Sequence, residues 1–171
     1  MIRVSVLLFL ALLPATALRA AEGCAGYRLP VEKELGLLAA PALEVVAGAT
    51  AEAAPRVEAG QRLGVALAPE AEVTLVPAPG KRFPGGPFRA GWLLLEPPKD
   101  GTWAISAAVR LWFDVVDLAT GSIVAASGFD MRTDCPGLVK IVEFPLVAGR
   151  RYGVQLSSAP AERIELLVTP R

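Results

Sequence analysis

The residue types able to do chemistry in this chain gather first on one short apolar run. In Arg110-Leu111-Trp112-Phe113-Asp114-Val115-Val116-Asp117 the pattern alternates, so Leu111, Phe113 and Val115 share one face of a strand and Trp112 and Asp114 share the other. An indole offers an apolar ring face, and a carboxylate beside it accepts hydroxyl or amide hydrogens, so the pair suits a sugar or a peptide. The plainer alternative packs Trp112 under a loop and pairs Asp114 with Lys140 or an arginine. A second candidate is the stretch from Pro79 to Gly91, where Lys81, Arg82, Phe83, Phe88 and Arg89 are set on a Gly/Pro frame. Long irregular loops on a rigid scaffold often carry binding, although many are plain surface connections. The stretch is no phosphate-binding P-loop, because no Gly-Lys-Ser/Thr follows and no helix is expected after it. The candidate ligand- or partner-binding set is therefore Trp112, Asp114, Lys81, Arg82, Phe83, Phe88 and Arg89.

Catalytic chemistry finds little to work with. The chain has no histidine, which removes the Ser-His-Asp triad, the Cys-His pair and every metal site built on imidazole. Neither Gly-x-Ser-x-Gly nor Ser-x-x-Lys occurs. Asp114, Asp117, Asp130, Asp134 and Glu143 could in principle supply a calcium site or a glycosidase pair. No Asp-x-Asp-x-Asp-Gly loop is present, however, and loop aspartates commonly cap turns. The sequence thus assigns no catalytic residue, no metal and no cofactor.

The elements that must position these residues begin with a leader. Met1-Ile2-Arg3 is a short basic start, Val4 to Leu13 is almost wholly apolar, and Pro14 leads into small residues ending at Ala20-Ala21. This is the layout of a secretory signal peptide, with the cut expected after Ala20 and a rival after Ala17. Its apolar core is about half the ~20 residues that a membrane span needs. The expected product is a periplasmic or secreted domain without a membrane span. The chain carries 17 basic and 17 acidic residues, and loss of Arg3 and Arg19 leaves the mature part slightly acidic. That balance argues against nucleic acid as a partner. An unknown protein or glycan of the cell envelope fits better.

Two cysteines, Cys24 and Cys135, form an isolated pair that an oxidising compartment joins most simply as one disulfide. A lipid-modified Cys24 is the alternative, but Ala21-Glu22-Gly23-Cys24 lacks the aliphatic residue of a lipoprotein cleavage site. Residues 21–60 read as an N-terminal arm tied down by that disulfide, with a short helix over Val31–Leu38 ended before Pro41. From residue 61 to 171 the pattern is strand, turn, strand. Strands are expected at Arg62–Leu67, Glu72–Val76, Trp92–Glu96, Thr102–Ala107, Arg110–Val116, Ser122–Ala126, Lys140–Leu146, Arg151–Leu156 and Arg163–Val168. Hairpins are expected across Pro97–Gly101 and Asp117–Gly121. Short strands at this spacing define an all-β, antiparallel β-sandwich of jelly-roll type.

The run Gly101-Thr102-Trp103-Ala104-Ile105-Ser106-Ala107, then Trp112-Phe113-Asp114, then Lys140 to Leu146 and Tyr152 to Ser157, resembles the bacterial pre-peptidase C-terminal β-sandwich. The resemblance is one of pattern, spans about the last 110 residues, and implies an accessory jelly-roll-like module, a fold with many uses. The mature chain as a whole also looks like a group of small exported bacterial proteins that often carry the label homogentisate 1,2-dioxygenase. Enzymes of that activity hold Fe(II) with histidines and a carboxylate, and with no histidine here none of those ligand positions carries over. The expected function is a non-catalytic binding or accessory module of the envelope. The alternatives are an enzyme, either a carboxylate-based hydrolase or the dioxygenase of the label, and a structural envelope protein.

Overall fold

The structure, a computed structural model, describes residues 24–171; the expected signal peptide and its cut site lie outside the described residues. Alternating apolar residues produce twelve strands: β1 (Leu43–Val46), β2 (Arg56–Val57), β3 (Arg62–Ala66), β4 (Ala68–Pro69), β5 (Arg89–Leu95), β6 (Gly101–Ala107), β7 (Trp112–Asp117), β8 (Ser122–Ile123), β9 (Gly128–Met131), β10 (Lys140–Leu146), β11 (Tyr152–Ala159) and β12 (Arg163–Pro170). They form two packed sheets. The first runs β1-β3-β12-β6-β10-β9, and the second β2-β5-β11-β7-β8 with β4 beside β5. The protein is an all-β sandwich.

The period of two in the sequence decides which side chains meet between the sheets. Trp103 and Ile105 of β6, Phe113 and Val115 of β7, Val142 and Phe144 of β10, and Tyr152, Val154 and Leu156 of β11 all enter the shared core. Full burial of each such side chain is worth about 1.5–3 kcal/mol.

Two sequence expectations change, the Pro97–Gly101 hairpin and the Glu72–Val76 strand. Pro97–Gly101 joins β5 to β6 across the two sheets, and 147–150 does the same for β10 and β11. Each flanking pair faces the same core from opposite sides, and Pro97 and Pro98 have no N–H to extend a ladder. Asp117–Gly121 is a true hairpin between β7 and β8, with Gly121 at φ 69° and Asp117 Oδ1 accepting the Ala119 N–H at 3.0 Å. Glu72–Val76 is not a strand. A 3-10 turn over Glu70–Glu72 leads into a segment that crosses the outer face of the second sheet. Pro77 and Pro79 keep it from pairing, and side chains below hold it instead: Trp92 Nε1 donates to Thr74 O at 2.9 Å and Gln155 Nε2 to Pro77 O at 2.8 Å.

The arm is built into the sandwich. It contributes β1, parallel to β3, and β2, parallel to β5, so it edges both sheets. The Cys24–Cys135 disulfide is formed and closes a separation of 111 residues. Beside it α1 (Glu32–Leu37) lies over the outer face of the first sheet, where Val31 and Leu35 pack against Leu138, Ile141 and Leu167. The fully buried Glu34 accepts hydrogen bonds from the Thr169 hydroxyl and from Arg171 Nη1, the latter at 3.1 Å, while Arg171 Nε donates to Glu143 at 2.6 Å. These charge-assisted bonds supply the partners without which a buried carboxylate would be prohibitive. Among the described residues no helix is long and apolar enough to cross a membrane.

Candidate functional site: an aromatic and cationic cleft

The inward row of β10 reads Lys140, Val142, Phe144, Leu146. Three of the four are core residues and the first is a lysine, a conflict between position and residue type of the kind that marks functional sites. Register carries the same row to the sheet edge, because Met131 of β9 pairs with Lys140 and Phe129 pairs with Val142. Phe129 is 51% and Met131 39% exposed.

Lys140 is only 4% exposed. Its side chain crosses the open edge of the sandwich and donates to Leu111 O, just before β7, at 3.0 Å. Its Nζ lies 4.3 Å from the Phe113 ring centre, 4.8 Å from that of Trp112 and 5.9 Å from that of Phe129. Ring faces attract a cation, but only in part replace water. Burial therefore pushes the Lys140 ammonium down to about 8; Asp114 opposes that shift, while Lys81 and Arg110 add to it by like-charge repulsion.

The roof comes from the Pro79–Gly91 loop. Asp114 Oδ2 accepts the indole N–H of Trp112 at 2.8 Å and the Gly80 N–H at 2.9 Å. The loop approaches Asp114 closely at Gly80: a Cβ there would sit 3.2 Å from Asp114 Oδ1, a contact that asks one of the two to move by a few tenths of an ångström. Phe83 N donates to Ser158 Oγ at 3.3 Å, which brings the Phe83 ring over this edge. Above it lie Arg110, its guanidinium carbon 4.9 Å from the ring centre, and Lys81, its Nζ at 6.0 Å. Together Lys81, Phe83, Arg110, Trp112, Phe129, Met131 and Lys140 line a cleft of about 110 Å³.

The structure divides the sequence-based set. Trp112, Lys81 and Phe83 line this cleft, with Asp114 buried behind the indole. Arg82, Phe88 and Arg89 line a separate, open cleft of about 610 Å³ beside Glu70. There Arg82 lies 3.8 Å from Glu70 Oε1, and Arg89 pairs with Glu162. Glu70 Oε2 also accepts the Ser158 N–H at 2.7 Å, holding that serine at φ 52° where β11 slips against β5. Of the plainer alternative, the loop does close against Trp112 and Asp114, but Asp114 bonds the Trp112 indole and Gly80 N–H rather than Lys140 or an arginine.

Sequence reasoning missed Arg110, Phe129 and Met131, and named Lys140 only as a partner for Asp114. The lysine at the head of the row Val142-Phe144-Leu146 was the readable signal. The strand holding Phe129 and Met131 was not foreseen, because Gly128 and Asp130 interrupt its apolar pattern.

The remaining carboxylates are each engaged separately. Asp117 pairs with Arg150 at 2.6 Å, Asp130 accepts the Arg28 N–H at 2.6 Å, Asp134 binds Arg132 at 2.6 Å, and Glu143 binds Arg171. Among the described residues no three His, Cys, Asp or Glu side chains gather as metal ligands would.

The fold and cleft define an all-β sandwich with a polar and aromatic notch at one open edge. Comparison with known protein families, with curated proteins and with solved structures finds no match.

Proposed function

We propose that this chain is an exported, non-catalytic binding module of the periplasm or cell envelope, and that the cleft around Trp112 and Lys140 is its binding surface. The observation that carries the reading is Lys140: a core position on β10 holds a lysine whose ammonium has three N–H donors and one hydrogen-bond acceptor, Leu111 O, among the described residues. An aliphatic residue there would continue the core at no electrostatic cost, so the charge is retained for what enters the cleft. The leader sequence and the Cys24–Cys135 disulfide support an oxidising destination. The pattern likeness to accessory sandwiches supports a role beside other envelope components rather than turnover. The larger cleft with Arg82, Phe88 and Arg89 is then a neighbouring contact surface whose arginines are already paired.

Capture from the native envelope fraction tests this reading. The oxidised wild type is compared with a Lys81→Gln, Trp112→Ala double variant whose fold is verified by circular dichroism. A component, protein or small molecule, retained by the wild type and lost by the variant supports the cleft. Equal retention by both would remove it.

A further inference from the structure

We propose that the cleft between β7, β9 and the Lys81–Phe83 loop takes a small carboxylate carried on an apolar ring. The inference rests on the cleft being a binding site and deepens that reading by naming the ligand's chemistry.

Charge comes first. Every arginine among the described residues has a carboxylate partner except Arg110. Arg110 instead stands over the Phe83 ring, the same ring that Lys81 approaches. A protein that pairs its other arginines and leaves two cations side by side at a cleft mouth has placed a site of positive potential there. Lys140 adds a third cation from the floor. The one carboxylate close by, Asp114, is 6% exposed, accepts two neutral N–H groups and acts on Lys140, so a single negative charge faces three cations. The missing partner is an anion. A guanidinium presents the planar fork that a carboxylate matches with two parallel bonds.

Shape supplies the rest. A cavity of about 150 Å³ lined by apolar side chains holds one benzene ring. The 110 Å³ cleft here is of that order, and its mouth leaves room for the charged group outside it. Trp112, Phe83 and Phe129 give aromatic walls, and Met131 is an adaptable one that suits ring edges. An aliphatic or inorganic anion would meet the cations and leave these surfaces wet. A neutral ring would fill the cleft and leave the cations unpaired.

The test is a titration of the ¹⁵N-labelled oxidised protein, read at the Trp112 indole N–H and the Lys81, Arg110 and Lys140 amides. The probes are benzoate, benzamide, benzylamine and acetate. The variant is Lys81→Gln, Arg110→Gln, two exposed positions whose change leaves the core intact. Benzoate is expected to shift these signals saturably, with benzamide and acetate weaker by about tenfold or more and benzylamine inert. The double variant is expected to lose about tenfold toward benzoate and nothing toward benzamide. Benzamide binding as tightly as benzoate at the same amides would overturn the anionic ligand while leaving the cleft a binding site. Acetate matching benzoate would overturn the ring. Failure of benzoate to move these signals would overturn the proposal itself, and the capture experiment decides separately whether the cleft binds anything else.

Discussion

Replacing Lys140 by methionine should raise stability at neutral pH and remove a pH dependence. Lys140 falls from 10.5 to about 8 in the folded protein, chiefly because burial penalises its charge. At about 1.4 kcal/mol per tenfold, the ammonium costs the fold about 3 kcal/mol at pH 7. The folded pKa lies below the unfolded one, so between about 8 and 10.5 the unfolded chain binds more protons than the native protein. The wild type must therefore gain stability as pH rises through that window. By pH 10 about 2 of the 3 kcal/mol has been recovered. Methionine fills similar space without charge, but leaves Leu111 O without its donor, at a cost of about 1 kcal/mol or somewhat more. The variant is thus expected to be more stable than the wild type by about 1–2 kcal/mol at pH 7, an advantage that shrinks or reverses by pH 10. Urea unfolding of both proteins at pH 7, 8, 9 and 10 measures this. Tyr27, which burial pushes up to about 12, loses its contribution only above pH 10 and is common to both proteins. A stability difference that stays constant from pH 7 to 10 would refute the reasoning, because Lys140 would then titrate in the fold as it does in water.

Reducing the Cys24–Cys135 bridge, or changing both cysteines to serine, should cost up to about 4–5 kcal/mol, since the loop it closes is long. Urea midpoints with and without reductant read this directly. Arg171→Met should destabilise by about 3 kcal/mol or more, because Glu34 is left buried with the Thr169 hydroxyl as its remaining side-chain donor; adding Glu34→Gln should recover much of the loss in thermal unfolding. Gly80→Ala crowds Asp114 Oδ1 by only a few tenths of an ångström, so it should change stability by less than about 1 kcal/mol in urea unfolding and weaken benzoate binding by no more than about threefold in the ¹⁵N titration.

Much of the sandwich was legible because a period of two with one buried face leaves few choices. Tyr152, Val154 and Leu156, like Leu111, Phe113 and Val115, face the core as their alternation requires. The sheet to which each strand belongs was not legible. A loop such as Pro97–Gly101 looks the same whether it turns within a sheet or crosses between two, and the difference lies in the long-range partners of Leu93 and Ile105. The outer faces were also misleading. Gln155 and Ser157 alternate away from the core side chains Tyr152, Val154 and Leu156, yet both are fully buried, with Gln155 bonding Pro77 O of the segment that follows Glu72. As for the site, Trp112 and Asp114 were readable as a pair on one strand face. Arg110, Phe129 and Lys140 were not readable as their neighbours, because the edge of β9 and the head of β10 meet β7 only once the two sheets close.

The measurement that most directly tests the central claim is chemical-shift mapping of the ¹⁵N-labelled oxidised protein against fractionated small molecules from its native envelope. The expected result is saturable change confined to Gly80–Phe83, Arg110–Trp112, Phe129–Met131 and Lys140, elicited by an acidic fraction. Change that maps instead to the opposite edge, around Arg56 and Glu96, or no change with any fraction, would contradict it.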